Sequence, residues 1–456
     1  MQILVDRYRC RPEDLAPVLV DPPISPGSGY FCFGPETLCF GACAIAQANP
    51  DPNGPFPDLE PAIRVNARIG FPFDPSDAIE NLRKERYWQS AVGFADPASK
   101  SLVREIYYRL RPHLSVAIRK RLQRLYLRSW KQITFPAWPV DTTVERVHEK
   151  LLVLQMKARK LDKLPFVWFW PGGRPTCTIV THDVENVSGL DFCNDLMDLN
   201  DRYGIKSSFQ IVPEKRYSVP ASVLASIRGR GFEVNVHDLD HDGRLFADHD
   251  EFHRRVQRIN QYGREFKARG FRSAIMYRNA DWLEALEFSY DMSFPNVAHL
   301  DPQRGGCCTV MPYFIGKIVE LPLTTIQDYS LFEILDDYST RLWETQIDII
   351  RRKNGLMSFL IHPDYIIERK ARAVYEKLLA LLSDMRAKNE TWIALPGEAA
   401  DWWRARSQMT LVESGGHWRI EGPESHRARV AFAVLQGDQV VYEMADGQRI
   451  SHVPGA

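Results

Sequence analysis

Apolar runs and helical patterns alternate along the chain from Cys177 onward. Short apolar runs, typical of buried strands, occur at Cys177–Thr181, Ser208–Val212, Glu233–Val236, Ala274–Tyr277, Ile318–Leu323, Met357–Ile361 and Trp392–Leu395. Helical periodicity separates many of these runs, at Asp191–Tyr203, Phe252–Arg269, Thr340–Lys353 and Ala371–Lys388. Strand–helix repetition with buried strands predicts a parallel α/β architecture. About seven such units over about 220 residues favour a (β/α) barrel over an open sheet.

Two regions with different residue patterns flank the predicted barrel. Residues 1–165 begin with a stretch rich in Pro, Gly and Asp, which predicts loops, and continue with helical patterns. After Arg406, short β-like runs joined by glycine pairs predict a small antiparallel appendage of hairpins. We therefore divide the chain into an accessory region at 1–165, a barrel at 166–406 and a β-rich appendage at 407–456.

A basic helix is predicted between Val116 and Ile133, where apolar positions follow a helical period and Arg and Lys occupy the other faces. Such a helix could simply pack on the surface of its domain. It could also dock on anionic lipid head groups or on a diphosphate-linked substrate, which would give peripheral membrane contact. The pattern alone leaves both interpretations open.

Charge and composition narrow the class of protein. The 58 Lys and Arg residues balance the 58 Asp and Glu residues, which disfavours a dedicated nucleic-acid binder. A hydrophobic fraction of 45% is ordinary for a folded domain. No apolar run approaches the roughly 18 residues that span a bilayer, and no signal peptide is visible. We expect a cytoplasmic protein with reduced cysteines, which the basic helix could bring to a membrane surface.

Titratable residues follow four of the predicted strands at the point where each strand ends. Thr181–Glu185 ends the first, His237–His241 the third, Arg278 the fourth, and His362 a later one. The carboxyl ends of barrel strands meet at one mouth, so these side chains are expected to converge there. Such convergence is a stronger indication of chemistry than any one motif.

The spacing of His237 and His241 places two imidazoles on one face of a turn, close enough to share one ion. Two histidines with a carboxylate and an open position form the catalytic-zinc pattern. Asp183 and Glu185 lie two apart, so both can point the same way from a strand end. One could bind the ion while the other takes a proton. The alternatives are structural histidines and a carboxylate pair that complements a helix dipole.

These residues resemble the motifs of the polysaccharide deacetylase (NodB-homology) family of carbohydrate esterases, over about Pro175–Ala400. Thr181–Glu185 is similar to the first motif, T-F-D-D-G, with Val184 in place of its second Asp. The resemblance implies that Asp183 is the general base and that Glu185 replaces the missing metal ligand. His237 and His241 match the H-[ST]-x-x-H metal pair of that family.

The later motifs extend the resemblance. Arg278 stands at the R-x-P motif, with Ala280 in place of Pro, and would orient the base carboxylate. His362 in Leu-Ile-His-Pro takes the place of the general acid. The resemblance also implies a distorted form of the barrel. Trp282 and Tyr277 are candidates to bind sugar, because pyranose faces stack on aromatic rings.

The function implied is a metal-dependent hydrolase that removes N-acetyl or O-acetyl groups from an amino sugar or glycan. A divalent ion, expected to be zinc, would be held by Glu185, His237 and His241 and would activate water for attack. Asp183 would then act as base and His362 as acid. Two alternatives stay open: a degenerate deacetylase that binds glycans as a scaffold, and a related metal-dependent hydrolase of C–N bonds in a small amide or cyclic imide.

Overall fold

The computed structural model describes residues 1–25, 27–44, 54–88, 125, 127–445 and 447. The predicted basic helix between Val116 and Ile133 lies mostly outside these residues, and its described end contains a short 3-10 turn at Trp130–Gln132. None of the helices within the described ranges has the length and apolar character needed to cross a bilayer.

The region before the barrel combines short strands with three helices in its described part. The helices are α1 (Gln2–Tyr8), α2 (Pro75–Arg83) and α3 (Thr143–Arg159). The strands are β1 (Val18–Val20), β2 (Ser28–Cys32), β3 (Leu38–Ala42), β4 (Arg64–Val65), β5 (Ile69–Phe71) and β6 (Lys163–Val167). Strands β2 and β3 form a hairpin, and β5 lies between β1 and β4.

The barrel follows in strand–helix order. Its strands are β7 (Thr176–Val184), β8 (Ser208–Ile211), β9 (Glu233–His237), β10 (Gly270–Arg272), β11 (Tyr290–Asp291), β12 (Tyr313–Ile315), β13 (Ile318–Glu320), β14 (Leu356–Leu360) and β15 (Thr391–Ile393). Its helices are α4 (Val187–Asp191), α5 (Cys193–Arg202), α6 (Ala221–Gly229), α7 (His249–Glu265), α8 (Arg341–Arg352) and α9 (Arg369–Ala387). After the barrel strands come α10 (Pro396–Ser407), β16 (Thr410–Ser414), β17 (His417–Glu421), β18 (Val430–Gln436) and β19 (Gln439–Met444).

The barrel strands form one curled sheet in the order β12-β13-β11-β10-β9-β8-β7-β14, with β15 also paired to β7. All neighbours run parallel except β12 and β13. The segment after β13 closes the curl, because the Thr324 and Thr325 hydroxyls donate to the carbonyls of Leu356 and Ser358 on β14, both at 2.7 Å. The prediction of an α/β fold built on a distorted (β/α) barrel is therefore confirmed.

The strand predicted at Ala274–Tyr277 is wrong. Residues Ala274–Met276 form a 3-10 turn, and the strand lies earlier, at Gly270–Arg272. A glycine after a helix resembles a helix end, but Gly270 pairs with Tyr290 as the first residue of the strand. A β-carbon at Gly270 would come within 2.2 Å of the Tyr290 ring, so the position requires glycine. This shift of a few residues changes which arginine stands at the strand end.

Hydrophobic packing joins the barrel to both flanking regions. One core lies between the sheet and the helices around it, and it includes Phe209 of β8, Ile259 of α7 and Trp343 of α8. A second core holds the other side of β7 together with the accessory region and the tail, including Phe166 and Trp402. The tail has the predicted hairpins, and β18 pairs antiparallel with β6, so strands from both sides of the barrel share one sheet. The three-part division of the chain remains a prediction.

Candidate active site at the carboxyl ends of the strands

Strand β7 delivers two carboxylates to the mouth of the barrel. Successive side chains on a strand point to opposite faces. Asp183 and Glu185 consequently face the mouth, while Val184 between them is fully buried in the hydrophobic core. Asp183 is 2% exposed and the Glu185 side chain 27%, so only Glu185 is open to solvent.

Strand β9 and the loop after it deliver two imidazoles. His237 is the last residue of β9, and its Nδ1 lies 3.1 Å from the carbonyl oxygen of Arg272 on the neighbouring strand. A carbonyl only accepts, so Nδ1 carries the proton and Nε2 is free to bind a metal. In the loop, Asp238 and His241 have left-handed backbone, with φ of 55° and 56°. Such conformations are strained for these residues and concentrate at functional sites.

Glu185, His237 and His241 converge on one point. One ligand atom from each lies within 4.8 Å of the others. Glu185 Oε1 is 2.9 Å from His241 Nε2 and 3.8 Å from His237 Nε2. Within the described residues, neither of these buried Nε2 atoms has a partner aligned for a hydrogen bond. Two buried imidazole nitrogens that converge on one carboxylate fit a divalent ion, and the donor set suits zinc.

Arg272 lies next to Asp183 at the end of β10. The guanidinium is fully buried and donates through Nη1 to Asp183 Oδ1 and to Thr181 Oγ1, both at 2.9 Å. The other carboxylate oxygen of Asp183 lies 3.6 Å from His237 Nε2. Burial alone would raise the pKa of Asp183, but the charge of Arg272, with His237 and His362, outweighs burial and lowers it. Asp183 is therefore held ionised and ready to accept a proton.

Arg278 does not orient the base, contrary to the prediction. Its Nε donates to Glu85 Oε2 at 2.7 Å, and its Nη2 forms an ion pair with the other oxygen of the same carboxylate. This pair is buried between the accessory region and the barrel, which indicates a role in joining them. The strand prediction at Ala274–Tyr277 produced the error, since it placed Arg278 where Arg272 stands.

His362 lies on the other side of Glu185, just after β14. Its Nδ1 donates to Asp328 Oδ1 at 2.6 Å, and its Nε2 lies 3.4 Å from Glu185 Oε1. Burial would lower the pKa of His362, but the charge and hydrogen bond of Asp328, with Glu185, raise it well above the usual value. Asp328 was not among the predicted site residues, because it lies eight residues beyond the end of β13 rather than directly at the strand end.

Arg216, in the loop after β8, was also missed. Its Nη2 lies 2.9 Å from His241 Nδ1 and donates to the His241 carbonyl oxygen at 3.1 Å. A guanidinium only donates, so this contact favours the His241 tautomer with its proton on Nε2. An ion bound through Nε2 would have to displace that proton, and Arg216 would then lose its acceptor.

The aromatic residues predicted to bind sugar lie elsewhere on the same side of the barrel. Trp282 packs in an aromatic cluster with Phe246 and Phe252, and its ring centre is 5.3 Å from that of His249. Tyr277 is buried, with 7% of its surface exposed. The structure thus gives both residues packing partners, and their contact with substrate remains a prediction.

No family model matches the chain, and no curated protein matches it in sequence. Among solved structures, it is similar to a Mycobacterium smegmatis protein that bears the name polysaccharide deacetylase, at 18% identity over 52% of this chain and 93% of that one, with a TM-score of 0.42. It is also similar to an allantoinase, at 11% identity over 52% of this chain and 92% of that one, with a TM-score of 0.42. A third similar structure is a peptidoglycan deacetylase of Bacillus subtilis, at 12% identity over 50% of this chain and 92% of that one, with a TM-score of 0.33.

Proposed function

We propose that the protein is a metal-dependent hydrolase that removes acetyl groups from the nitrogen, or the oxygen, of an amino sugar or glycan. One observation carries the proposal. Two histidines and a carboxylate that could hold a metal ion lie between Asp183, whose pKa is lowered, and His362, whose pKa is raised. An amide that enters the mouth would meet a base on one side and an acid on the other, which is the arrangement that amide hydrolysis requires.

Glu185, His237 and His241 would hold the ion, and zinc is the metal we expect. When bound, the ion supplies a Lewis acid that lowers the pKa of water and stabilises negative charge on the acyl oxygen. Glu185 takes the place of the ligand lost at Val184. Its backbone position, one residue beyond the end of β7, brings the longer side chain to the two imidazoles.

Asp183 would remove the proton from the attacking water. Arg272 and Thr181 hold its surroundings rigid, and one carboxylate oxygen remains directed toward the metal-binding set. The lowered pKa keeps the carboxylate ionised at neutral pH, as a base must be. A positioned base of this kind contributes about 10²–10⁴ in rate.

His362 would protonate the leaving nitrogen. Asp328 holds the Nδ1 proton, so Nε2 is the atom that faces the mouth and delivers the second proton of the imidazolium. The raised pKa keeps His362 protonated near neutral pH before the reaction. In each turnover Asp183 would gain a proton and His362 would lose one, and proton exchange with solvent would restore both residues.

The test is hydrolysis of a panel of compounds. Acetate release is measured for free and oligomeric N-acetyl sugars, a lipid-linked N-acetyl amino sugar, O-acetyl sugars and simple acetamides, and ring opening is measured for cyclic imides. We expect release from an N-acetyl sugar, its loss on chelation, and its recovery with zinc. Asp183→Asn should reduce turnover about 10²–10⁴-fold and retain the metal, whereas exposed Asp198→Asn should leave both unchanged. Release only from small amides would support the alternative hydrolase, and a protein without metal or turnover would support the scaffold hypothesis.

A further inference from the structure

An open groove lies at the amino ends of β7 and β15, away from the candidate active site. Its volume is about 300 Å³. The residues that define this basic groove are Gly172, Arg174, Trp392, His426, Arg427 and Arg429. Arg174 precedes β7 and Glu185 follows it, so the nine residues of that strand separate the two sites by about 25–30 Å.

Positive charge in the basic groove is poorly neutralised. Within the described residues, no carboxylate lies within 4.0 Å of Arg174 or Arg429. In the described part of the chain, the Arg429 side chain donates to carbonyls of its own loop, including that of Ala428 at 2.8 Å. Arg427 has one acidic partner, Glu424, at 3.4 Å. Among the residues that the structure describes, three guanidinium groups and an imidazole therefore have one carboxylate, Glu424, as partner.

Aromatic contacts hold one arginine of the groove in position. The Arg427 guanidinium lies 5.4 Å and 5.5 Å from the ring centres of Trp392 and Trp402, so cation–π contacts fix it. The turn at Gly172 and Gly173, with φ of 64° and 76°, precedes Arg174. A β-carbon at Gly172 would have no atom within 4 Å, so the groove is open at this residue.

We propose that the basic groove is a second binding site, for the phosphate group of a small anionic ligand. Arginine is the side chain best suited to phosphate, because its planar fork gives paired, charge-assisted hydrogen bonds. In a (β/α) barrel, the amino-end face usually serves stability, and stability does not call for three arginines with one acidic partner. The balanced total charge and the small volume match a compact phosphate ligand rather than a nucleic acid.

The test is calorimetric titration of the full chain with inorganic pyrophosphate at fixed ionic strength. We compare the wild type with Arg174→Gln/Arg429→Gln and with the control pair Arg64→Gln/Arg419→Gln, which also removes two exposed positive charges, outside the groove. The groove variant should bind pyrophosphate at least tenfold more weakly, and the control within twofold of the wild type. The absence of saturable binding by the wild type, or equal weakening in both variants, would overturn the proposal.

A second arm separates the two sources of such a phosphate. Flotation with vesicles of phosphatidylglycerol, compared with phosphatidylcholine alone, shows whether the groove takes a lipid head group. Vesicle binding that pyrophosphate competes away and the groove variant loses would assign a membrane ligand. Pyrophosphate binding without vesicle binding would assign a free phosphate compound. Acetate release should be unchanged in the groove variant, so this test is independent of the proposed hydrolase activity.

Discussion

Replacing Arg272 should impair the base without removing the metal-binding set. Arg272→Met deletes three hydrogen bonds, to Asp183, to Thr181 and to the Met292 carbonyl. Breaking a buried ion pair by removing one partner costs about 3–5 kcal/mol of unfolding free energy. The Asp183 pKa should rise, because the attraction that offsets its burial is lost. Less of the carboxylate would then be ionised, and it would be less well oriented.

Arg278→Met is the matched control. It also leaves a buried carboxylate, Glu85, without its partner, so the loss of unfolding free energy should be similar, about 3–5 kcal/mol. The two variants separate a catalytic effect from a stability effect. Chemical denaturation gives the stability, and kcat/KM against pH gives the catalysis. Arg272→Met should lose about 10²–10⁴ in kcat/KM at neutral pH.

The pH profile gives the sharper distinction. A base must be ionised, so kcat/KM falls below its pKa, and a raised Asp183 pKa moves that acid limb to higher pH. Arg278→Met should keep the wild-type acid limb. Adding Asp183→Asn to Arg272→Met should restore part of the stability, because the unpaired buried charge is then absent. Equal losses of turnover in the two single variants, with unchanged acid limbs, would refute the assignment of Arg272.

Substitutions at Asp328, His182 and Arg216 test other contacts of the site and its surroundings. Asp328→Asn removes the partner that raises the His362 pKa, so the alkaline limb of kcat/KM should move to lower pH; an unmoved limb would contradict its role as acid. Burial lowers the pKa of His182 to about 3, so between pH 6.5 and 3 only the unfolded state binds a proton at this residue. The free energy of unfolding should therefore fall by up to about 5 kcal/mol on acidification. Denaturation at several pH values should show a flatter dependence for His182→Gln. Arg216→Gln should raise zinc affinity about tenfold in chelator competition, since the guanidinium favours the wrong His241 tautomer; unchanged affinity would show that it does not compete with the ion.

The histidine pair and the two carboxylates could be predicted because their signals are local. Alternation along β7 decides that Asp183 and Glu185 share a face opposite Val184, and the four-residue spacing brings His241 back toward His237. The apolar runs also fix the order of strands and helices closely enough to predict a barrel. In each case the physical cause acts over fewer than about ten residues, which is the range that periodicity reports.

The partners of those residues could not be predicted in the same way. Asp183 and Arg272 are 89 positions apart, and His362 and Asp328 are 34 apart. Whether Arg272 or Arg278 reaches the base depends on which residues form β10. That strand was placed too late in the sequence, because Gly270 resembles the end of the preceding helix. The close approach of Tyr290 that requires this glycine exists only after β10 and β11 have paired.

The sequence by itself determined the class of fold, the mouth at which chemistry collects and the residues suited to hold a metal, because burial and strand direction are encoded in local patterns. Only the tertiary structure decided which charges neutralise one another. It paired Arg278 of the barrel with Glu85 of the accessory region, and it paired Arg272 with Asp183 inside the barrel. The reason is that a buried charge needs a partner within a few ångströms, and chain packing, rather than sequence spacing, decides which one is there.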